Sequence, residues 1–175
     1  ISIMKIEPKL DTGPIMMSSK IKISKDINFA DLSFKLSVLG AELTIKSLNL
    51  IEKKKETFIP QNESVATYAK KIRKIEAKID WRQKAKIVVA KINALNVNPG
   101  CWFFLNGLRI KVLKAIEVKA IGKPGEIINE NFTIACSENA VQILELKREG
   151  KQKMKTHEFL KGNNLKVGIN ILSNV

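Results

Sequence analysis

Apolar and polar positions along the chain change period more than once, and the changes mark out its parts. Ser2 to Glu7 alternates weakly, as a strand does, and Ile15 to Ile23 reads as a second strand beyond the turn Leu10-Asp11-Thr12-Gly13-Pro14. Asn28 or Asp31 suits a helix N-cap, and from there Leu32, Leu36, Leu39, Leu43 and Leu48 recur at helical spacing as far as Ile51. Gly40 interrupts that helix at modest cost. Strand, turn, strand and a long apolar-faced helix are the expected tail of an α/β domain.

Residues 52–64, EKKKETFIPQNES, have the polarity and the proline of a linker. A short helix is expected from Ser64, with Tyr68, Ile72, Ile75 and Ile79 as its apolar stripe. Lys70, Lys74 and Lys78 then form a basic row on another face, beside Lys71 and Arg73. Such a row is either a plain solvated face or an anion-binding one. A further helix fits Lys84 to Leu95, with Val88, Ile92 and Leu95 inward, and Asn98-Pro99-Gly100 stops it.

From Cys101 the period falls to two. CWFFL-NG-LRIKVLKAIEV reads as a hairpin, because Asn106-Gly107 supplies the positive φ values of a tight two-residue turn. Pro124-Gly125 marks another turn. GEII, FTIACS and AVQILELKRE follow as short strands, and Thr156 to Lys161 as a helical turn ended by Gly162. Short strands packed this closely suit a small barrel of the oligonucleotide-binding type, with a small sandwich as the alternative. The domains are thus expected at 1–51, the end of the α/β domain; 52–82, a basic linker; and 83–175, the barrel with its leading helix.

Charge sharpens this picture. The net charge is +14, from 31 Lys and Arg against 17 Asp and Glu, which points to a polyanionic partner. Only four of the basic residues are Arg, however, and Lys, Ile and Asn abound throughout, as a skewed coding composition would also produce. The excess centres on residues 51–91, where twelve basic residues face five acidic ones. Two cysteines, Cys101 and Cys136, both in strand-like surroundings, offer neither a metal set nor a disulfide framework and read as buried thiols of a cytoplasmic protein. His157 is the only histidine and reads as a surface or capping residue, so no metal is expected. No apolar run approaches the roughly 20 residues that span a bilayer, and the opening ISIMKIEPK has no signal-peptide pattern. The chain opens on Ile1 within an apolar segment and reads as the later part of a longer protein.

Three separate patterns carry a family likeness: Ile3-Met4 leading to LDTGP at residues 10–14, PQNESVATYAKKIRKIEAKIDW from Pro60 to Trp81, and GKQKMKTHEFLKGNNLKVGINIL from Gly150 to Leu172. With NPGCW and the Asn106-Gly107 hairpin, they resemble the last part of the methionyl-tRNA formyltransferase family. Ile75 departs from that family's usual acidic residue, and the lysine-rich surface is unusual for it.

The resemblance implies the end of a doubly wound formyltransferase domain, a linker, and a barrel of oligonucleotide-binding type. It implies formyl transfer from formyl-tetrahydrofolate to the amino group of methionine on the initiator tRNA, with no metal and no membrane, by a monomer. Of the family's catalytic Asn, His and Asp, it places only the Asp in this chain, at Asp11, so the chain alone is expected to be inactive. Leu10, Asp11, Thr12 and Gly13 become the cofactor-contact candidates. The candidates for tRNA phosphate are Lys70, Lys71, Arg73, Lys74, Lys78 and Arg82 in the connector and Lys111, Lys114, Lys147, Arg148, Lys151 and Lys153 on the barrel. Trp102 and Phe103 are potential stacking residues, with a core role the more ordinary one. A related formyltransferase for a nucleotide sugar and a non-catalytic RNA-binding module stay open as alternatives.

Overall fold

The computed structural model describes residues 1–25, 27–96, 98–163 and 165–172. They form two compact units, residues 1–71 and 72–175, divided inside the expected linker.

In the first unit, β1 (Ser2–Met4) pairs antiparallel with β2 (Ile15–Ser18), Ser2 standing opposite Ser18. The second strand is shorter than its apolar pattern suggests. Its last backbone bond to the first strand is Ser19 N–H to Ile1 C=O. Helix α1 (Phe29–Glu52) starts where its cap chemistry puts it, the Asn28 side chain accepting the Asp31 N–H at 3.0 Å. Leu43 and Ser47 are buried, whereas Phe34, Val38, Ile45 and Leu48 are exposed. Leu48, expected on the inner stripe, therefore lies outside it. Ile59 exchanges both backbone bonds with Ile15, each 2.8 Å, so the start of the linker runs as an added rung beside β2.

The second unit holds α2 (Ala85–Ala94), β3 (Cys101–Leu105), β4 (Leu108–Val118), β5 (Ile127–Asn129), β6 (Thr133–Ala135), β7 (Ala140–Arg148), β8 (Lys153–Lys155) and α3 (Thr156–Lys161). The β3–β4 hairpin turns at Asn106 and Gly107, with φ of 49° and 74°. Strand order is β3-β4-β7-β6-β5. The second edge of β7 is shared: residues 140–142 pair with β6, and residues 145–147 with β8.

No strand pair closes this sheet into a barrel among the described residues. Short segments occupy its two ends instead. At one end Ile79 N–H donates to Trp102 C=O at 2.8 Å. At the other, Ile127 N–H donates to Ile169 C=O and Ile127 C=O accepts from Gly168 N–H. These contacts cover part of each sheet edge.

The core lies between α2 and the inner face of this sheet. Phe103 meets Trp81 edge-on at 5.3 Å and Phe132 at 6.1 Å, and Phe132 stacks on Phe159 at 5.7 Å. Val88 and Ile92 of α2 and Leu95 at its C-cap are buried here, as their spacing predicts. Trp102 and Phe103 are both buried too.

The helix expected from Ser64 does not form. Residues 63–65 make one 3-10 turn and residues 74–77 another, with extended chain between and after them. Tyr68, Ile72 and Ile75 are exposed, while Ala77 and Ile79 are buried against β3. Isoleucine at helical spacing is also a good edge-strand residue, and here the open backbone of β3 decided the outcome.

Candidate active-site loop and nucleic-acid interface

The loop from Leu10 to Pro14 owes its shape to two contacts that are distant in sequence. Gly13 is buried, and a Cβ there would lie 1.7 Å from the Lys5 carbonyl oxygen. Glycine is thus required by the loop's own backbone, rather than by the approach of a ligand. Lys5 N–H, in turn, donates to Pro14 C=O at 3.0 Å.

The second contact is Gln61. Its Nε2 donates to the carbonyls of Asp11 at 2.9 Å and Gly13 at 2.7 Å. Asp11 itself sits at φ 55°, a left-handed conformation that aspartate tolerates better than most residues. Its carboxylate is exposed and makes no hydrogen bond or ion pair among the described residues. The turn is held by Lys5, Thr12 and Gln61, the Thr12 hydroxyl donating to Lys9 C=O at 3.2 Å, and this leaves the Asp11 carboxylate unspent. Leu10 is 89% exposed beside it. Gln61 was not among the sequence candidates, because it lies 50 residues from Asp11 and no local pattern carries such a contact.

In the second unit the cations gather on the sheet. Residues directly opposite across antiparallel strands share a face. Lys111 stands opposite Lys147, and Lys147 opposite Lys153, giving a row of three lysines across β4, β7 and β8. A bulge at Leu113 keeps the next residue on this outer face, so Lys114, Glu145 and Lys155 form a second row. Toward the hairpin, Arg109 stands opposite Phe104 on the same face. One acid, Glu145, thus accompanies six cations. Lys111 Nζ donates to Pro99 C=O at 2.9 Å, which positions its charge without neutralising it. Beside the second row lies an open groove of about 330 Å3 lined by Lys114, Gln142, Glu145, Lys155, His157 and Leu160.

The other candidates are placed differently. Arg148 stands opposite Ile110, whose side chain is buried, so it is not part of the lysine row; Lys151 lies in the turn between β7 and β8. Arg73 is paired with Glu76 and Arg82 with Asp80, both at 2.8 Å. The hydrogen bond from Arg73 holds the Glu76 carboxyl below its usual range, and that from Arg82 does the same for Asp80. Lys70, Lys74 and Lys78 do not share a helix face, since Lys70 is in extended chain, Lys74 opens a 3-10 turn and Lys78 follows it. Lys78 Nζ sits 5.8 Å from the Trp102 ring centroid, and Lys91 Nζ donates to Lys78 C=O. No cluster of three metal-ligating side chains exists among the described residues, and no helix there is long and apolar enough to cross a membrane.

The fold recurs in solved structures of other proteins. HypX from Aquifex aeolicus, solved with tetrahydrofolic acid, superimposes with a TM-score of 0.68 at 19% identity, over 96% of this chain and 33% of that one. An N-formyltransferase from Helicobacter canadensis, solved with folinic acid and dTDP-3-aminofucose, gives 0.65 at 20% identity, over 81% of this chain and 54% of that one. At such identities the likeness defines a class of fold.

Sequence is more specific. The family model for the formyl transferase C-terminal domain matches residues 71–164, and the chain belongs to that family. Methionyl-tRNA formyltransferase of Bradyrhizobium diazoefficiens is 39% identical over 172 residues, 96% of this chain and 55% of the relative. That of Brucella canis is 39% identical over 164 residues, 91% of this chain and 54% of the relative. The chain therefore spans about half the length of the curated relatives it matches.

Proposed function

We propose that this chain is the later part of a methionyl-tRNA formyltransferase, acting in the cytoplasm at translation initiation. The complete enzyme transfers a formyl group from formyl-tetrahydrofolate to the α-amino group of methionine carried by the initiator tRNA. Residues 1–71 contribute the Asp11 loop, and residues 72–175 help to hold the tRNA. The open six-stranded sheet, with its long bulged β4 and shared β7 edge, supports reading the second unit as an incompletely closed barrel of oligonucleotide-binding type.

The loop suits a folate. Leu10 offers exposed apolar surface, and the Asp11 carboxylate is free to accept from donors on a ligand. Leu10 to Gly13 would hold the cofactor, which brings the formyl group to be transferred. Asp11 would orient a neighbouring imidazole or water and keep an imidazolium favourable, so that the proton lost by the amine has a route out. Gln61 acts on Asp11 through the loop backbone and is a positioning residue.

The observation that carries the RNA-holding role is the row Lys111, Lys147 and Lys153. Like charges directly opposite one another destabilise a sheet, and no acid within the row offsets them. A phosphate backbone supplies the missing charge. The test is the affinity of the chain for initiator methionyl-tRNA, measured across a salt series. K111Q, K147Q and K153Q together are expected to lower the slope of log affinity against log salt by about 2–3. A slope unchanged by the triple substitution, or no tRNA binding at low salt, would sink this role and leave the nucleotide-sugar reading in its place.

A further inference from the structure

The outer face of the sheet carries an aromatic ring among its cations, and that ring is held in place. Trp102 is buried and fixed by Nε1, which donates to Lys74 C=O at 3.2 Å. The Arg109 guanidinium lies 4.2 Å from the Trp102 ring centroid, a stacking distance. Phe104 meets Trp102 edge-on, with centroids 5.4 Å apart and planes at 77°. Phe104 is nonetheless 38% exposed, whereas its β3 neighbours Phe103 and Leu105 are 3% and 6% exposed. It stands opposite Arg109, on the same face of the sheet as Lys111 and the lysine row. Arg109 Nε is shielded from solvent and has no partner of its own.

From these placements we infer that Phe104 is a stacking platform for one unpaired nucleotide base, whose flanking phosphates lie on Arg109 and the row Lys111, Lys147 and Lys153. A duplex has no base face to offer such a ring, so the surface distinguishes single-stranded segments, loops and ends from paired stems. Phe104, packed edge-on against the fixed Trp102 ring, loses less conformational freedom than a free ring when a base stacks on it. The Arg109 plane, held by Trp102, leaves its remaining N–H groups to a phosphate. This inference rests on the RNA-holding role proposed above and adds to it the kind of RNA that is held.

The test uses the 175-residue chain with three probes: an unstructured single-stranded RNA of about 12 nucleotides, the same strand made abasic, and a blunt duplex of equal phosphate number. Expected is tighter binding of the single strand than of either control at the same salt. Replacing Phe104 by Leu, which keeps apolar volume, should weaken the single strand about tenfold and leave the abasic strand, the duplex and the salt slope unchanged. F104W should restore binding and quench on addition of the single strand. Equal affinity for the single and abasic strands, or an F104L loss that is the same for all three probes, would overturn the inference while leaving the lysine row intact. Salt-insensitive binding of every probe would count against the RNA-holding role itself, and the stacking site would fall with it.

Discussion

The residues that matter most in the first unit act through backbone. Gly13 serves the Lys5 carbonyl and Gln61 holds two carbonyls of the loop, so the Asp11 carboxylate is presented without being used to build its own turn. The LDTG motif points to that loop, but it does not reveal Gln61. A side chain that closes a loop from 50 residues away leaves no periodic trace. The two thiols show the opposite case, where local pattern was enough. Cys101 and Cys136 fall on apolar alternation and are buried. Burial pushes Cys101 up to about 11, with Lys91 pulling weakly the other way, and pushes Cys136 up to about 12, with the charge of Glu117 adding to it. Both thiols should therefore be unreactive toward a disulfide reagent at pH 8 in the native chain, and both should react in denaturant. Their ordinary pKa of 9.0 in the unfolded chain lies below the folded values. The unfolded state thus releases these protons first, and stability should fall as pH rises above about 9. Rapid titration of either thiol in the folded protein would contradict the burial.

At the level of elements, turn chemistry was readable and edge pairing was not. Asn106-Gly107 fixed the β3–β4 hairpin because few residues accept two successive positive φ values. The segment around Lys70, Lys74 and Lys78 has a helical period, yet its outcome depended on β3 offering an open backbone edge that lies well beyond it in sequence. Strand β8, only Lys153–Lys155, has no alternation long enough to announce it. What holds β8 and α3 in place is the buried Thr156, whose Oγ1 donates to Ile143 C=O at 2.6 Å. Thr156→Val keeps the shape and strands that carbonyl, at an expected cost of about 1–3 kcal/mol in urea unfolding. Because Lys153 and Lys155 sit on the strand so anchored, the same variant should also weaken single-stranded RNA binding. An unchanged midpoint would show that the bond contributes nothing net.

For the whole molecule, the division into two units makes a claim about where stability resides. The hydrophobic cluster built on Trp81, Phe103, Ile134 and Leu146 draws all its members from Ala77 to Ile171, within the second unit. The family model begins at residue 71, at the boundary between the units. The first unit has a different character: a two-stranded sheet and a helix with Phe34, Val38, Ile45 and Leu48 exposed, too little to make a core of its own. A chain of residues 72–175 should therefore fold cooperatively, with a urea midpoint close to that of the corresponding transition in the full chain. It keeps the lysine row and Phe104, and of the candidate phosphate contacts it lacks Lys70 and Lys71. Its affinity for single-stranded RNA should therefore fall only by what two phosphate contacts supply, a decrease in salt slope of at most about 1.4. Failure of that fragment to fold, or loss of the preference for single strands while F104W still quenches in the full chain, would mean that residues 1–71 help to build the RNA surface. The basic sheet would then be only part of it.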